Sequence, residues 1–571
     1  MFTLVVHLSL IFNIYFMISI FSKQKSKANL QRNAFDLSRS DIFSASAGML
    51  LPCFVEEVNP NEHFEITPSS FLRTMPLNTA AYTRLKQNVE FYFVPYRLLL
   101  RQFPQFIVGT EYAISSYDSL NLYKSPLPYI DLQKTLLALV GAVNALSSSN
   151  PSVDALGYPA WRGTLRLLDL LGYGVSASEV VSAAKANPAM TERDISFVKV
   201  NPFRLLAYQK IYYDFYRNPL YELNKPSAFN IDSLYTSANS GNSLPVWNNS
   251  LSASNDMYML RYRNWKKDYF NALSPYFQGA DYLTDTVSPV QFPGGKAYVD
   301  TDSANGNKLG TLSGTSSPFG FSIANLRSAY ALDKLYRLSI AAGDGDYASQ
   351  IKAHYGFEFP HDSYKSTFLG GIDAPVTISE VVTTATTDRG EAADIFGKGM
   401  SANRDKTIRF DSKEHGVILG IFSVVPECDY SSLMLDKFNM KFNREDYYQP
   451  EFADLGKQPV DPYEFSTEYF NPRQVTPMGY INRYAEYKTR VDKVHGEFSP
   501  SGSLDAWTTV RQYKSVDGPV SNSFFKINPA VLDKIFANVY DGSEVSDQFL
   551  VDFQCFVTAV RPMSVTGEPA L

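Results

Sequence analysis

Cysteine is scarce: three of 571 residues, Cys53, Cys428 and Cys555. An odd number without paired spacing excludes a disulfide framework. Each sits in an apolar run, so buried free thiols suited to a reducing cytoplasm are expected. Histidine is nearly as rare. The six, at 7, 63, 354, 361, 415 and 495, fall in no metal-ligand spacing, and neither His-Glu-x-x-His nor Cys-x-x-Cys occurs. Gly397-Lys398-Gly399 is not a phosphate loop, because Gly399 stands where a magnesium-holding hydroxyl belongs. Asp300, Asp302 and Asn305 before Gly306 imitate a calcium loop, but Thr311 replaces its bidentate Glu. Glu414-His415 is no acid/base pair, since neighbours on a strand face opposite ways. No catalytic group, metal site or cofactor is expected.

Charge is also low. Charged residues make up 19% and the net charge is −6, which excludes a chain built to coat nucleic acid over its whole surface. What is present is apolar and aromatic: 45% hydrophobic, with 40 Phe and 37 Tyr against 4 Trp, beside 32 Gly and 32 Pro. That mixture suits strands, long ordered loops and large contact surfaces. The length exceeds the prior of about 150 residues for one domain.

Residues 88–96 form the centre of the reading. Val89, Phe91 and Phe93 alternate with Glu90 and Tyr92, the period of a strand with one buried face, and Pro95 ends it. Its expected partners are distant: 49–58, 415–425 and 549–560. The result is a non-local sandwich carrying a long insertion.

Along the chain, residues 2–21 are almost continuously apolar and long enough to cross a membrane, yet no basic residue precedes them and no cleavage site is evident. Translation from Met17 would remove most of that leader (1–22). Residues 23–40 form a basic arm with Lys23, Lys25, Lys27, Arg32 and Arg39 against Asp36. It is read either as phosphate-neutralising or as an ordinary solvated terminus. First strands follow in 41–110, with a turn at Asn59-Pro60-Asn61 and an extended run over 62–75 apart from Pro68. The segment 111–225 is helical: short, peripheral helices at 134–146, 164–171 and 177–186, then a firmer one at 203–217 that Asn201 caps, Pro202 opens and Pro219 stops. Residues 226–320 are rich in loop formers and read as a surface excrescence. A helix over 323–342 and further strands fill 321–571.

One constellation carries possible binding chemistry: Tyr258, Arg261, Tyr262, Arg263, Trp265, Lys266, Lys267, Tyr269 and Phe270. Cations interleaved with aromatics neutralise phosphates while bases stack on rings. A helix with a charged outer face and an aromatic inner one gives the same string.

The ordered motifs resemble the major capsid protein of the Microviridae, small phages with circular single-stranded DNA, in their gokushovirus-like or Bacteroidales-associated members. The residues that carry the resemblance are 35–38, 71–73 with 75–76, 92–99 with Phe93, Pro95 and Arg97, 202–204 with 207–208, 353–356 followed by Gly370-Gly371, and 414–420 with Glu414, His415 and Gly416. The set continues through 447–452 with Tyr448 and Pro450, 483–488, 504–507 with Trp507, and 560–563 with Arg561 and Pro562. The resemblance implies an eight-stranded antiparallel jelly roll of viral capsid type, mainly β, with helical and loop insertions between strands. It implies a non-enzymatic T=1 icosahedral shell in the virion, assembled in the bacterial cytoplasm through pentamers around a single-stranded DNA genome. It also implies an internal scaffolding protein, a pilot protein and a small basic DNA-associated protein as partners, with an insertion presented to a host surface receptor as a spike. The chain departs from the family at its apolar start and over 111–200. A secreted or cell-surface glycan-binding β-sandwich is the alternative; it accounts for the apolar start and leaves the motifs unexplained.

Overall fold

A computed structural model describes residues 31–108, 127–144, 153–234, 243–248, 253–275, 347–358, 364–382, 395–403, 406–453, 456–467, 476–511, 518–536 and 547–565, with six further helical positions between 327 and 338. The latter agree with the expected helix. The apolar leader, residues 23–30 of the basic arm and the stretch 276–320 lie outside the described residues. Among those described, no helix is long and apolar enough to cross a membrane.

Ten strands form the principal sheet: β1 (Asn33–Asp36), β2 (Arg39–Ala45), β3 (Leu51–Val58), β4 (His63–Thr74), β5 (Leu85–Pro95), β6 (Thr367–Val382), β7 (Ile395–Asn403), β8 (Ile408–Asp411), β9 (Gly416–Pro426) and β10 (Phe549–Arg561). Eight lie on one antiparallel path, β1-β10-β4-β7-β6-β5-β9-β3, while β8 adds to β4 and β2 to β10. The sixteen-residue β6 joins two halves, pairing with β5 up to Val376 and with β7 from Thr377. Instead of two separate sheets, one sheet curls into a jelly-roll-like half-barrel. The chain as a whole has mixed helix and strand content.

The ends of the curl meet through side chains. Arg39 on β2 donates to the Val55 carbonyl at 2.7 Å, and Arg561 on β10 donates to the Glu57 carbonyl at 2.9 Å. Val55 and Glu57 are two apart on β3, so both carbonyls face its free edge. Guanidinium groups thereby occupy an edge that could otherwise pair with another chain. Phe43 meets Phe422 edge-on at 5.4 Å beneath this seam.

Of the three partners expected for the central strand, only 415–425 pairs with it, as β9. β3 lies beyond β9, and β10 pairs with β4 in the other half. The second partner is β6, whose glycines and mixed burial gave little strand signal. One buried face was expected, but Tyr92 is buried as well as Phe91, because Phe215, Tyr216 and Phe368 cover the second face. Pro68 does not interrupt β4; it lies in the gap between the stretches paired with β8 and β7.

The helices α1 (Leu132–Asn144), α2 (Ala160–Leu170), α3 (Ala177–Ala186) and α4 (Phe203–Ile211) match the expected ones. They are less peripheral than expected. α1 and α2 bury apolar faces in the main core, and only α3 keeps little more than Ala184 inside. α4 is buried nearly all round and runs into a wider turn, Tyr212–Tyr216. The Asn201 side chain accepts from its Phe203 N–H at 2.8 Å. Its polar members are satisfied: Gln209 donates to the carbonyls of Met257 and Met259, and Lys210 pairs with Asp214 at 2.7 Å.

The excrescence expected over 226–320 also needs correction where it can be described. Trp247, Met257, Tyr258, Trp265 and Phe270 are buried, so 243–248 and 253–275 belong to the body. Residues 257–265 join the main core, while Tyr269, Phe270 and Leu273 join a smaller one with Tyr430, Phe465 and Phe524.

Candidate nucleic-acid interface

Residues 259–268 are extended rather than helical. Backbone bonds fix them: Leu50 donates to the Arg261 carbonyl, Arg263 to the Gly48 carbonyl at 2.7 Å, and Trp265 to the Phe525 carbonyl at 2.9 Å. The two readings of this stretch therefore separate by side chain. Arg261 is buried, donating to Gln209 Oε1 at 2.8 Å and the Asp256 carbonyl at 2.9 Å while stacking over Tyr212 at 4.8 Å. Arg263 grips both oxygens of Glu90 at 3.1 Å and reaches Ser423 Oγ at 3.0 Å. Both are consumed inside the subunit, and Arg261 is out of reach of a polymer.

Lys266 and Lys267 are exposed, and neither has an ion-pair partner among the described residues. They stand at a cleft of about 760 Å³ whose wall includes Arg84, Lys86, Trp265 and Arg490. The cleft's other cations are partly neutralised. Arg84 spans Glu427 at 3.2 Å, Asp429 at 2.9 Å and Asp492 at 2.6 Å, and Lys86 lies 3.7 Å from Glu427. Two unpaired ammonium groups at a groove neutralise phosphates without reading bases. Trp265 is buried, so it offers no open stacking face.

Beneath the cleft lies a buried ionic knot. Lys526 donates to Tyr212 Oη and sits 3.5 Å from Glu222, and burial pushes its ammonium down to about 8. Burial raises the Glu222 carboxyl, but Lys526, Tyr212, Arg261 and Asn522 together outweigh it and hold the group below its ordinary value.

The other sequence-derived residues are dispersed. Lys23, Lys25 and Lys27 lie outside the described residues. Arg32 is exposed and donates to the Asn61 carbonyl. Arg39 stands on β2, packed 4.5 Å over Phe54 and bound into the seam, so 33–40 is sheet rather than loose arm.

The motif residues hold the frame. Phe93 packs on Phe410 at 4.7 Å, and Pro95 ends β5 opposite Gly416. Arg97 pairs with Glu414 at 2.7 Å, and His415 meets Phe103 edge-on at 5.8 Å in the turn before β9. Tyr448 packs on Tyr484 and Tyr487, Pro450 opens a 3-10 turn, and Trp507 lies 5.8 Å from Tyr82. Arg561 pairs with Glu56 at 2.8 Å, and Pro562 follows the strand end. Cys53 and Cys555 are buried free thiols, while Cys428 is only partly buried. Burial pushes Cys428 and Cys555 each up to about 12.

Sequence reasoning missed Arg84, Lys86 and Arg490. They join Lys266 and Lys267 only through tertiary folding, from positions some two hundred residues away on either side. No cluster of metal-ligating groups occurs among the described residues.

A family model described as capsid protein (F protein) matches residues 24–143 and 186–571. The unmatched interval, 144–185, contains α2 and most of α3. The chain is 24% identical to capsid protein VP1 of Chlamydia phage 1, over 95% of this chain and 96% of that protein. It is 23% identical to capsid protein VP1 of Bdellovibrio phage phiMH2K, over 91% and 92%.

Proposed function

Because the chain belongs to the phage F capsid protein family, and is the non-enzymatic major capsid protein of a small single-stranded DNA microvirus, we propose that its copies close a T=1 shell through pentamers and meet the packaged strand at the Lys266–Lys267 cleft. Family membership makes self-assembly and residence in the virion properties of the chain. The observation that carries the finer reading is the pair of exposed, unpaired lysines on a rigid, core-anchored segment. Rigid placement reduces the ordering cost of binding, and point charges suit a partner of varied sequence. Arg32, held at the Asn61 turn at the opposite end of β9 from the cleft, would with Lys23, Lys25 and Lys27 make a separate contact with the packaged strand. Internal scaffolding, pilot and small basic DNA-associated proteins remain partners that family resemblance suggests, as does a host surface receptor. A glycan-binding sandwich has no support from the capsid proteins that match 95% and 91% of the chain.

The test is expression from Met17 with the remaining phage genes, comparing wild type with Lys266→Glu/Lys267→Glu. Uniform icosahedral particles in both cases, with a lower ratio of 260 to 280 nm absorbance in the variant, are expected. Equal DNA content would remove the cleft from the interface, and a monomer that never forms particles would remove the shell.

A further inference from the structure

The two halves of the sheet are covered differently. β9 is buried almost throughout, as a strand with material on both faces must be. β10 alternates, with Phe549, Val551, Phe553, Cys555 and Val557 inside and every second residue outside. Its outer face continues across neighbouring strands. Register sets Leu550 beside Arg73, Asp552 beside Phe71 and Ile42, and Arg73 beside Met400. Since paired residues project from the same side, these six share one surface. Ile42 is 82% exposed, Leu550 48% and Met400 47%. Among the described residues nothing covers them, and exposed apolar side chains grouped on one face point to an interaction surface.

The charges on this face say what covers it. Leu550, Arg73, Asp552 and Phe71 form the corners of a square, with the cation and the acid on one diagonal. Among the described residues neither charge has an ion-pair partner: Arg73 lies 5.0 Å over the Phe71 ring, and Asp552 accepts from Ser40 at 3.2 Å and Gln554 at 3.4 Å.

We propose that this bare face docks on the same face of a second copy about a two-fold axis; the proposal rests on the shell reading, which surrounds each subunit with identical copies. An axis in the plane of contact, midway between Arg73 and Asp552, sets each Arg73 against the other copy's Asp552, twice. Leu550 and Phe71, near that axis, meet their own counterparts, with Ile42 and Met400 flanking. A self-complementary patch of this kind is what an isologous contact requires, and the paired charges fix its orientation.

The test is Leu550→Cys in the full chain, co-expressed with the phage genes and mildly oxidised, then run on a non-reducing gel. A band at twice the chain mass, absent after reduction and absent for Thr558→Cys further along the same strand, is expected. Arg73→Asp and Asp552→Arg singly should lower the cross-link yield several-fold, and the two together should restore it. Intact particles without the cross-link overturn the docking and leave the shell standing. A cross-linked dimer without particles supports the docking and overturns the shell. If Arg73→Asp empties particles of DNA and Leu550→Cys gives no cross-link, the face belongs to nucleic acid instead.

Discussion

Arg263 and Glu90 meet through two contacts of 3.1 Å across 173 residues of chain, tying the extended 259–268 segment to the central strand. Tyr216 Oη also donates to this carboxylate, and Tyr92 Oη donates to it at 3.4 Å. The pair lies in the partly dry layer between sheet and insertion, where removing one charge strands the other. Arg263→Met should therefore destabilise the subunit by about 3–5 kcal/mol, and Arg263→Met/Glu90→Leu by clearly less. Urea unfolding of the unassembled subunit checks this. Equal losses would show that the pair does not act as a unit.

Two glycines should respond oppositely to alanine. A Cβ at Gly416 would stand 2.5 Å from the Val94 carbonyl, at the Pro95 end of the β5–β9 pairing. Gly141 lies in α1, exposed, with nothing within 4 Å of the added carbon. Gly416→Ala should cost about 1–3 kcal/mol through overpacking, whereas Gly141→Ala should add up to about 1 kcal/mol through helix propensity. Thermal melts of both variants decide it.

Alkaline pH should loosen the subunit. Ten tyrosines have phenols that burial holds above their ordinary value, so they stay protonated in the fold and ionise once unfolded. A group of this kind lowers stability as pH rises past its unfolded value; at pH 10.5 each contributes about −0.8 kcal/mol, roughly −8 together. Lys526 works the other way. Its folded value of about 8 lies below 10.5, so between those two values the unfolded chain binds more protons and stability rises, by about 3 kcal/mol. The tyrosines win. Melting temperature should fall between pH 8.5 and 10.5, and Lys526→Met should steepen the fall.

Salt should report the cleft. If Lys266 and Lys267 each neutralise one phosphate, Lys266→Ala/Lys267→Ala lowers the slope of log affinity against log salt for single-stranded DNA by about 1.4. Fluorescence titration with an oligothymidine at several ionic strengths measures it. An unchanged slope places the phosphates elsewhere.

Much of the frame was legible in the sequence because it is local. The alternation in 549–560, the turn at Asn59-Pro60-Asn61, and helix 203–217 with its Asn201 and Pro202 start are short-range patterns, and each stands where its residues imply. Pairing was less legible. The sequence placed three strands beside 88–96, and only β9 is there, since alternation tells a strand which face to bury and leaves open which edge it joins.

The candidate interface divides along the same line. Interleaved cations and aromatics in 258–270 were visible as a string, yet only packing decides that Arg261 and Arg263 are spent on Gln209 and Glu90 while Lys266 and Lys267 stay exposed, unpaired among the described residues. Composition by itself determined a cysteine-poor, aromatic chain, and its ordered motifs determined the capsid family. Tertiary structure alone decided which arginines close the seam of the curled sheet, which lysines stand exposed at the cleft, and which face of the sheet the described residues leave uncovered. Those outcomes depend on partners dozens to hundreds of residues apart, whose proximity is set by burial summed over the whole fold rather than by local preference.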